Sequence, residues 1–404
     1  VFCFDLNIRF YLNRTSYYND SWAWEQSLSW YSEESVDKFF KDNESLIKKC
    51  VNELIAAGPN IAGFSVNAAS RLSSLKIAEM IRDINKDIVI VFGGPLFFEK
   101  RFVKEILNND CVDMVIPGEG EAAFVELADL ISKKKDILSC DGISYKKDGE
   151  IINTKPRGPI ENLDILPFMD FTDLPLSSYD DSRHIVFMAS RGCVQRCVFC
   201  SSRAFWPKYR AMSGKRIFEE IKYHKMRETS LNPHLGHVGF IDLMFNGNMK
   251  YLVEFCDLMI KERMDIKWSA NMIIRPEINN SVIRKIKDSG CEHIIFGIES
   301  GSQRVIDLMK KHYRIEDADR IIRDMHHAGI RVTGNFMFGF PGETEEDFKK
   351  TLAFIKRNSG VLDRAYPSRT YCAIEEFSYL AGHLEEFGIK QNPPNHLFWE
   401  SVDG

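Results

Sequence analysis

Short apolar runs of strand length alternate with amphipathic stretches of helical period along almost the whole chain. That alternation is the strongest constraint on the fold, because each strand must be covered by the helix beside it, which gives an α/β architecture with parallel strands. The pattern lapses once. Residues 151–182 carry Pro156, Pro159, Pro167 and Pro175 among acidic and turn residues without a clear period, as an interdomain linker does. A chain of 404 residues can bury two separate cores. We therefore expect residues 1–150 and 183–370 to form two domains joined by 151–182, with 371–404 beginning a C-terminal extension.

Upstream of the linker, "IAGFSV" (61–66), "IVIVFGGP" (88–95) and "VDMVIPGEGE" (112–121) read as buried strands, and "LKIAEMIRDIN" and "EAAFVELADLISKKK" as helices. The opening "VFCFDLN" reads as the middle of another strand and lacks an initiator methionine, so a longer protein is expected, with the first strand before Val1. Ligands of open parallel sheets bind beyond the carboxyl ends of the strands, where glycine lets the backbone approach a bulky molecule. Gly93, Gly94, Gly118 and Gly120 fall at such ends, with Glu119 between the last two. Taken singly, each glycine pair is equally a tight turn.

Downstream, six strand candidates follow: "HIVFMAS" (184–190), "HVGFID" (237–242), "IKWSANM" (266–272), "HIIFGIES" (293–300), "VTGNFMFGF" (332–340) and "DRAYPS" (363–368). Helical segments lie between them, among them "KRIFEEIKYHKMRE" and two closed by Gly290 and Gly329 at the expected cap position. Six β/α units make an incomplete form of the eightfold barrel, whose chemistry collects at the carboxyl ends of the strands. Asp242, Glu299 and the "GFPGE" turn end the second, fourth and fifth strands, and should share one rim with the loop after the first.

That loop, within "MASRGCVQRCVFCSS" (188–202), spaces Cys193, Cys197 and Cys200 as CxxxCxxC. Structural zinc is normally closed by four ligands, and no second cysteine pair lies nearby; the nearest histidine, His184, sits inside the preceding apolar run. Disulfides fit poorly, since ten cysteines scattered without a secretory leader read as reduced intracellular thiols and a cytoplasmic location. Iron–sulfur clusters are held by cysteine thiolates at short spacings, usually four, so three imply one iron free to bind something else.

Composition excludes some classes. Hydrophobic content of 44% and charged content of 27% are ordinary for a soluble globular protein, and no apolar run reaches the ~18 residues of a membrane span. A net charge of -5 leaves no broad footprint for nucleic acid. The short run Lys133, Lys134, Lys135 reads as a solvated helix end.

Three stretches in this order, "RGCVQRCVFC", "GIESGSQRVIDLMKK" and "GNFMFGFPGETEEDF", resemble radical S-adenosylmethionine enzymes. Ser65 followed by Gly93 and Gly94 is similar to the Ser-x-Leu and Gly-Gly elements of the cobalamin-binding branch, with Asn67 in place of the leucine and no Asp-x-His-x-x-Gly signature. The resemblance implies a Rossmann-like, flavodoxin-like parallel sheet lacking its first strand, then a partial (β/α)6 TIM-type barrel. It implies a [4Fe-4S] cluster on Cys193, Cys197 and Cys200, whose fourth iron chelates S-adenosylmethionine and cleaves it to a 5'-deoxyadenosyl radical. Phe199, Asp242, Glu299, Ser300, Asn335, Phe338 and Gly339 would line the cosubstrate, Glu299 at a hydroxyl and the Phe338–Gly342 turn at the adenine. The second acid that often follows Asp242 is here Leu243, and Arg275 would meet a carboxylate or simply lie at the surface. Ser65, Gly93, Gly94, Gly118, Glu119 and Gly120 would line cobalamin.

The reaction implied is methyl transfer to an unactivated carbon or phosphorus of a small-molecule or peptide substrate, with flavodoxin or ferredoxin as electron donor. Ring closure or oxidation is the alternative within the family. Methylthiotransferases carry three further N-terminal cysteines, a pattern that Cys3, Cys50 and Cys111 do not match. A cobalamin or iron–sulfur sensor would lack the "GIES" and "GFPGE" turns. No histidine precedes His184, so cobalt without a histidine or its own base beneath it is expected.

Overall fold

The computed structural model describes residues 1–179, 184–227, 235–368, 371–390 and 399–402. The end of the expected linker (180–182), the last residue of "KRIFEEIKYHKMRE" and much of the expected extension (391–398, 403–404) lie outside the described residues. The chain divides into two compact units, Val1–Ile160 and Glu161–Gly404.

In the first unit, β1 (Ile61–Ser65), β2 (Val89–Gly93) and β3 (Met114–Val115) are parallel, and β4 (Ser144–Lys147) and β5 (Glu150–Asn153) continue the sheet antiparallel, in the order β1-β2-β3-β4-β5. The strand β2 explains the layering. Its Ile90 and Phe92 join one core with helices Arg71–Ile84 and Lys100–Leu107, while Val91 between them joins another, with Met114, Ala123 and Leu127 under helix Glu121–Ser132. A sheet buried on both faces reads as continuous apolar runs, which is why these strands are legible.

Two expectations are corrected here. The opening residues form no strand: helix Leu6–Asn13 starts at Asp5, whose Oδ1 accepts from Ile8 N at 2.9 Å, and it buries Ile8 and Phe10. The alternating aromatics of "VFCFDLN" imitate a strand, yet Val1 and Phe2 are exposed and the cap decides the matter. The sheet is also mixed rather than parallel. Asp148 and Gly149 both take positive φ, 52° and 83°, making the Asp-Gly hairpin turn that folds β5 back on β4, so residues 151–153, expected as linker, are sheet.

The second unit holds β6 (His184–Phe187), β7 (Ser190–Arg191), β8 (Arg210–Ala211), β9 (His237–Phe240), β10 (Lys267–Met272), β11 (Cys291–Glu299), β12 (Arg331–Phe336) and β13 (Arg364–Pro367). Six of these form one parallel sheet, β6-β9-β10-β11-β12-β13, with β6 and β13 at its edges, as a partial barrel requires. Helices Gly214–Met226, Met249–Lys261, Asn280–Asp288, Ile315–His327 and Glu345–Arg357 connect them. They cover the outer face: Phe240 stacks on Phe245 at 4.0 Å, and Phe255 and Trp268 close that cluster. Among the described residues, no helix is long and apolar enough to cross a membrane.

Candidate active site

The cysteine loop is clasped at its base. Ser190 and Arg191 of β7 pair antiparallel with Ala211 and Arg210 of β8, and Met212 N donates to Ala189 O at 2.8 Å, so residues 192–209 leave and re-enter at one point. Within the loop, Val198 is 1% exposed and packs on Met309, Phe340, Cys372 and Leu380, with Phe199 beside it. Its backbone is held on both sides, N–H to Met309 O at 3.1 Å and C=O from Leu380 N at 2.9 Å. This apolar pin leaves Cys193, Cys197 and Cys200 half-buried around it, as free thiols.

Backbone amides aim at the sulfurs. Gln195 N donates to Cys193 Sγ at 3.4 Å and Ser202 N to Cys200 Sγ at 3.5 Å, contacts that favour a thiolate. Burial nevertheless raises the Cys193 thiol pKa and takes Cys197 to about 11, with Lys311 opposing the rise in both. Metal ligation would be needed to keep these sulfurs ionised. Among the described residues no three or more His, Cys, Asp or Glu close on a single metal ion. Three thiols on one short loop match the local spacing of iron–sulfur ligation and fall one short of the four ligands that close a structural zinc site.

Asp242, just past β9, is fully buried and turned under this loop. Its carboxylate accepts from Ala189 N at 3.2 Å and from Ser190 Oγ, tying the end of β9 to the start of the cysteine loop. Burial raises its pKa to about 6 against those hydrogen bonds. Leu243 beside it is exposed. Arg275 is spent on structure: it donates to Asn246 O at 3.2 Å and Gly247 O at 3.0 Å and pairs with Glu277.

Glu299 ends β11 at a register shift, with φ 68°, a left-handed conformation uncommon outside glycine. Its backbone O accepts from Met337 N at 2.9 Å, and its Oε1 accepts from Lys311 Nζ at 3.1 Å. Ser300 next to it points away, fully buried, with Oγ 3.0 Å from Thr351 Oγ1. On β12, Asn335 is exposed; beyond it Phe338 O accepts from Cys372 N at 3.0 Å and Gly339 N donates to Glu343 Oε2 at 2.6 Å. Tyr371 lies against Gly339, where a Cβ would stand 2.6 Å from its ring. The structure thus brings Glu299, Cys193 and Cys197 near Lys311, and assigns Ser300 and Asp242 to internal bonds.

The first unit presents a different rim. Ser65 and Gly93 are register partners at the ends of β1 and β2, and Gly94 follows with φ 105°. A Cβ at Gly94 would meet Val66 N at 2.7 Å and Val66 O at 2.8 Å. Beyond β3, Gly118 has open space around it, Gly120 precedes helix Glu121–Ser132, and Glu119 Oε2 accepts from Ile160 N at 2.8 Å.

Residues 188–355, from the cysteine loop into helix Glu345–Arg357, match the model of the radical SAM superfamily. Over 363 residues the chain is 31% identical to "Uncharacterized methyltransferase PH0819" of Pyrococcus horikoshii, covering 88% of this chain and 73% of that protein. The chain belongs to the radical SAM superfamily of enzymes. It is also similar to the anaerobic magnesium-protoporphyrin IX monomethyl ester cyclase of Rubrivivax gelatinosus, 28% identical over 318 residues, spanning 74% of this chain and about half, 54%, of that relative. Among solved folds, the cobalamin-dependent S-adenosylmethionine radical enzyme OxsB matches with a TM-score of 0.71 at 18% identity, covering 88% of this chain and 57% of that one. The radical S-adenosylmethionine methyltransferase TsrM from Kitasatospora setae matches with a TM-score of 0.68 at 17% identity, covering 91% and 74%.

Three residues of this radical SAM rim escape a reading of the sequence. Ser190 and Glu343 brace Asp242 and Gly339, and nothing in their spacing announces it. Lys311 stands in the quoted "DLMKK", but only the turn that ends its helix tells which lysine points inward.

Proposed function

We propose that this chain belongs to a cobalamin-dependent radical SAM methyltransferase acting on an unactivated carbon or phosphorus of a small-molecule or peptide substrate. The observation that carries the reading is the set of three half-buried thiols, with amides aimed at two of them, beside a carboxylate at the end of the fourth barrel strand. The bound cluster supplies the electron that cleaves S-adenosylmethionine, and bound cobalamin supplies the methyl carrier. Cys193, Cys197 and Cys200 hold the cluster and leave one iron to the cosubstrate. Glu299 accepts from a cosubstrate hydroxyl with the oxygen not taken by Lys311, while the Phe338–Gly339 backbone and Asn335 flank the adenine. Phe199, packed beside Val198, would line the cosubstrate, and Asp242 keeps the loop closed at its base. In residues 1–150, Ser65, Gly93, Gly94, Gly118 and Gly120 offer cobalamin a rim without bulky side chains, with Glu119 between the last two glycines. The methyltransferase named among the relatives and the folds of OxsB and TsrM support this reading. Electrons would come from a flavodoxin or ferredoxin.

A second reading, radical ring closure, is favoured by the similarity to the Rubrivivax gelatinosus cyclase. Anaerobic reconstitution with iron, sulfide and cobalamin, followed by product analysis with S-adenosylmethionine and candidate substrates, separates them. Methyl transfer yields 5'-deoxyadenosine together with S-adenosylhomocysteine. Deoxyadenosine alone marks cyclase chemistry, and neither product overturns both readings.

A further inference from the structure

An ammonium lies beneath the cysteine loop. Lys311 is only 6% exposed, and lysine is seldom enclosed so far without an opposite charge to meet. The backbone puts it there. Helix Gln303–Leu308 ends in a Schellman turn, Lys310 N donating to Asp307 O at 3.0 Å and Lys311 N to Ile306 O at 3.1 Å, with Lys310 left-handed at φ 54°. The turn sends Lys310 outward over the Tyr379 ring, 4.3 Å from its centroid, and Lys311 inward to Glu299 Oε1 at 3.1 Å. Gly297 makes the room: a Cβ there would stand 2.5 Å from Glu299 Oε1 and 3.3 Å from Lys311 Nζ. Met309, in the same turn, accepts the Val198 amide at 3.1 Å, which stitches the turn to the loop between Cys197 and Cys200.

We infer that Lys311 is the charge-compensating residue of the cluster site: its ammonium, anchored by Glu299, offsets the thiolates' negative charge and eases entry of an electron into the cluster. The inference rests on the reading that this loop binds a cluster. Potentials of iron–sulfur centres follow net charge, hydrogen bonds to the sulfurs and solvent exposure, and a fixed cation in a buried site favours the reduced form. The balance is one electron in, from an external one-electron donor, and no proton, because Lys311 already carries its charge. Burial, the largest influence on that ammonium, lowers its pKa, but Glu299, Cys197 and Cys193 together raise it above the ordinary lysine value.

The test is a spectroscopic redox titration of the full chain carrying a reconstituted cluster, without S-adenosylmethionine. Lys311→Met should lower the reduced-to-oxidised ratio at fixed potential roughly tenfold, a midpoint 59 mV lower for a one-electron couple. Glu299→Gln should move the midpoint upward, and Lys311→Arg should leave it near wild type; a merely structural ion pair predicts no such opposite signs. An unchanged midpoint in Lys311→Met with full iron and sulfide content overturns the inference and leaves the cluster reading standing. A wild-type chain that takes up no iron overturns the cluster reading, and the inference with it. If Lys311→Met does not fold, the Glu299→Gln midpoint decides: a rise supports the inference, and a fall or no change overturns it.

Discussion

Both units present the carboxyl ends of parallel strands as a rim, yet they build it from opposite materials. In the second unit the rim is made of side chains: three thiols, the Glu299 carboxylate and the Lys311 ammonium, held in place by the buried Val198. In the first it is made of space, with Gly93, Gly94, Gly118 and Gly120 keeping side chains out of the way. A rim of functional groups fails when one group is removed, whereas a rim of glycines fails when something is added.

The sharpest way to break that comparison is at the thiols. Cys193→Ala, Cys197→Ala and Cys200→Ala should each abolish cluster assembly, since three thiolates leave no spare ligand, while Cys256→Ala and Cys291→Ala, fully buried core thiols, should keep it. Iron content after anaerobic reconstitution reads this directly; a loop variant matching wild type contradicts it. A smaller effect is expected at Asp242. Burial raises its folded pKa from 3.8 to about 6, so it stays protonated when folded while the unfolded carboxyl ionises. The contribution of Asp242 to stability is therefore greatest below about pH 4, falls by about 3 kcal/mol as pH rises through 6, and then levels off. Denaturant unfolding across that range should show the fall in wild type and lose it in Asp242→Asn; equal slopes contradict the assignment.

Adding a methyl group tests the other rim. Gly94→Ala forces a positive φ and a clash with Val66 backbone atoms, and should cost at least about 2 kcal/mol together with weakened cobalamin uptake. Gly118→Ala meets nothing within 4 Å and should cost about 1 kcal/mol from its φ alone. Thermal unfolding and absorbance titration with cobalamin measure both, and equal effects at the two glycines would erase the distinction.

The same contrast governs what the sequence discloses. The six parallel strands of the second unit and the α/β class were legible because apolar runs and amphipathic periods recur in step. The Asp148–Gly149 hairpin carries its usual dipeptide, but its second strand runs into residues 151–153, which read as linker. The opening helix was not, since its aromatics alternate like a strand and one Asp5 cap reverses the outcome. Around the site, cysteine spacing announces itself, but burial direction does not: Glu299 and Ser300 are neighbours in sequence, and a left-handed residue at the end of β11 sends one to Lys311 and the other to Thr351.

The central claim is that three cysteines hold a cluster whose remaining iron belongs to the cosubstrate. Its most direct test is electron paramagnetic resonance of the reconstituted, reduced chain with and without S-adenosylmethionine. Four irons per chain and a spectrum that changes when S-adenosylmethionine is added are predicted; a spectrum unmoved by saturating S-adenosylmethionine would contradict the account.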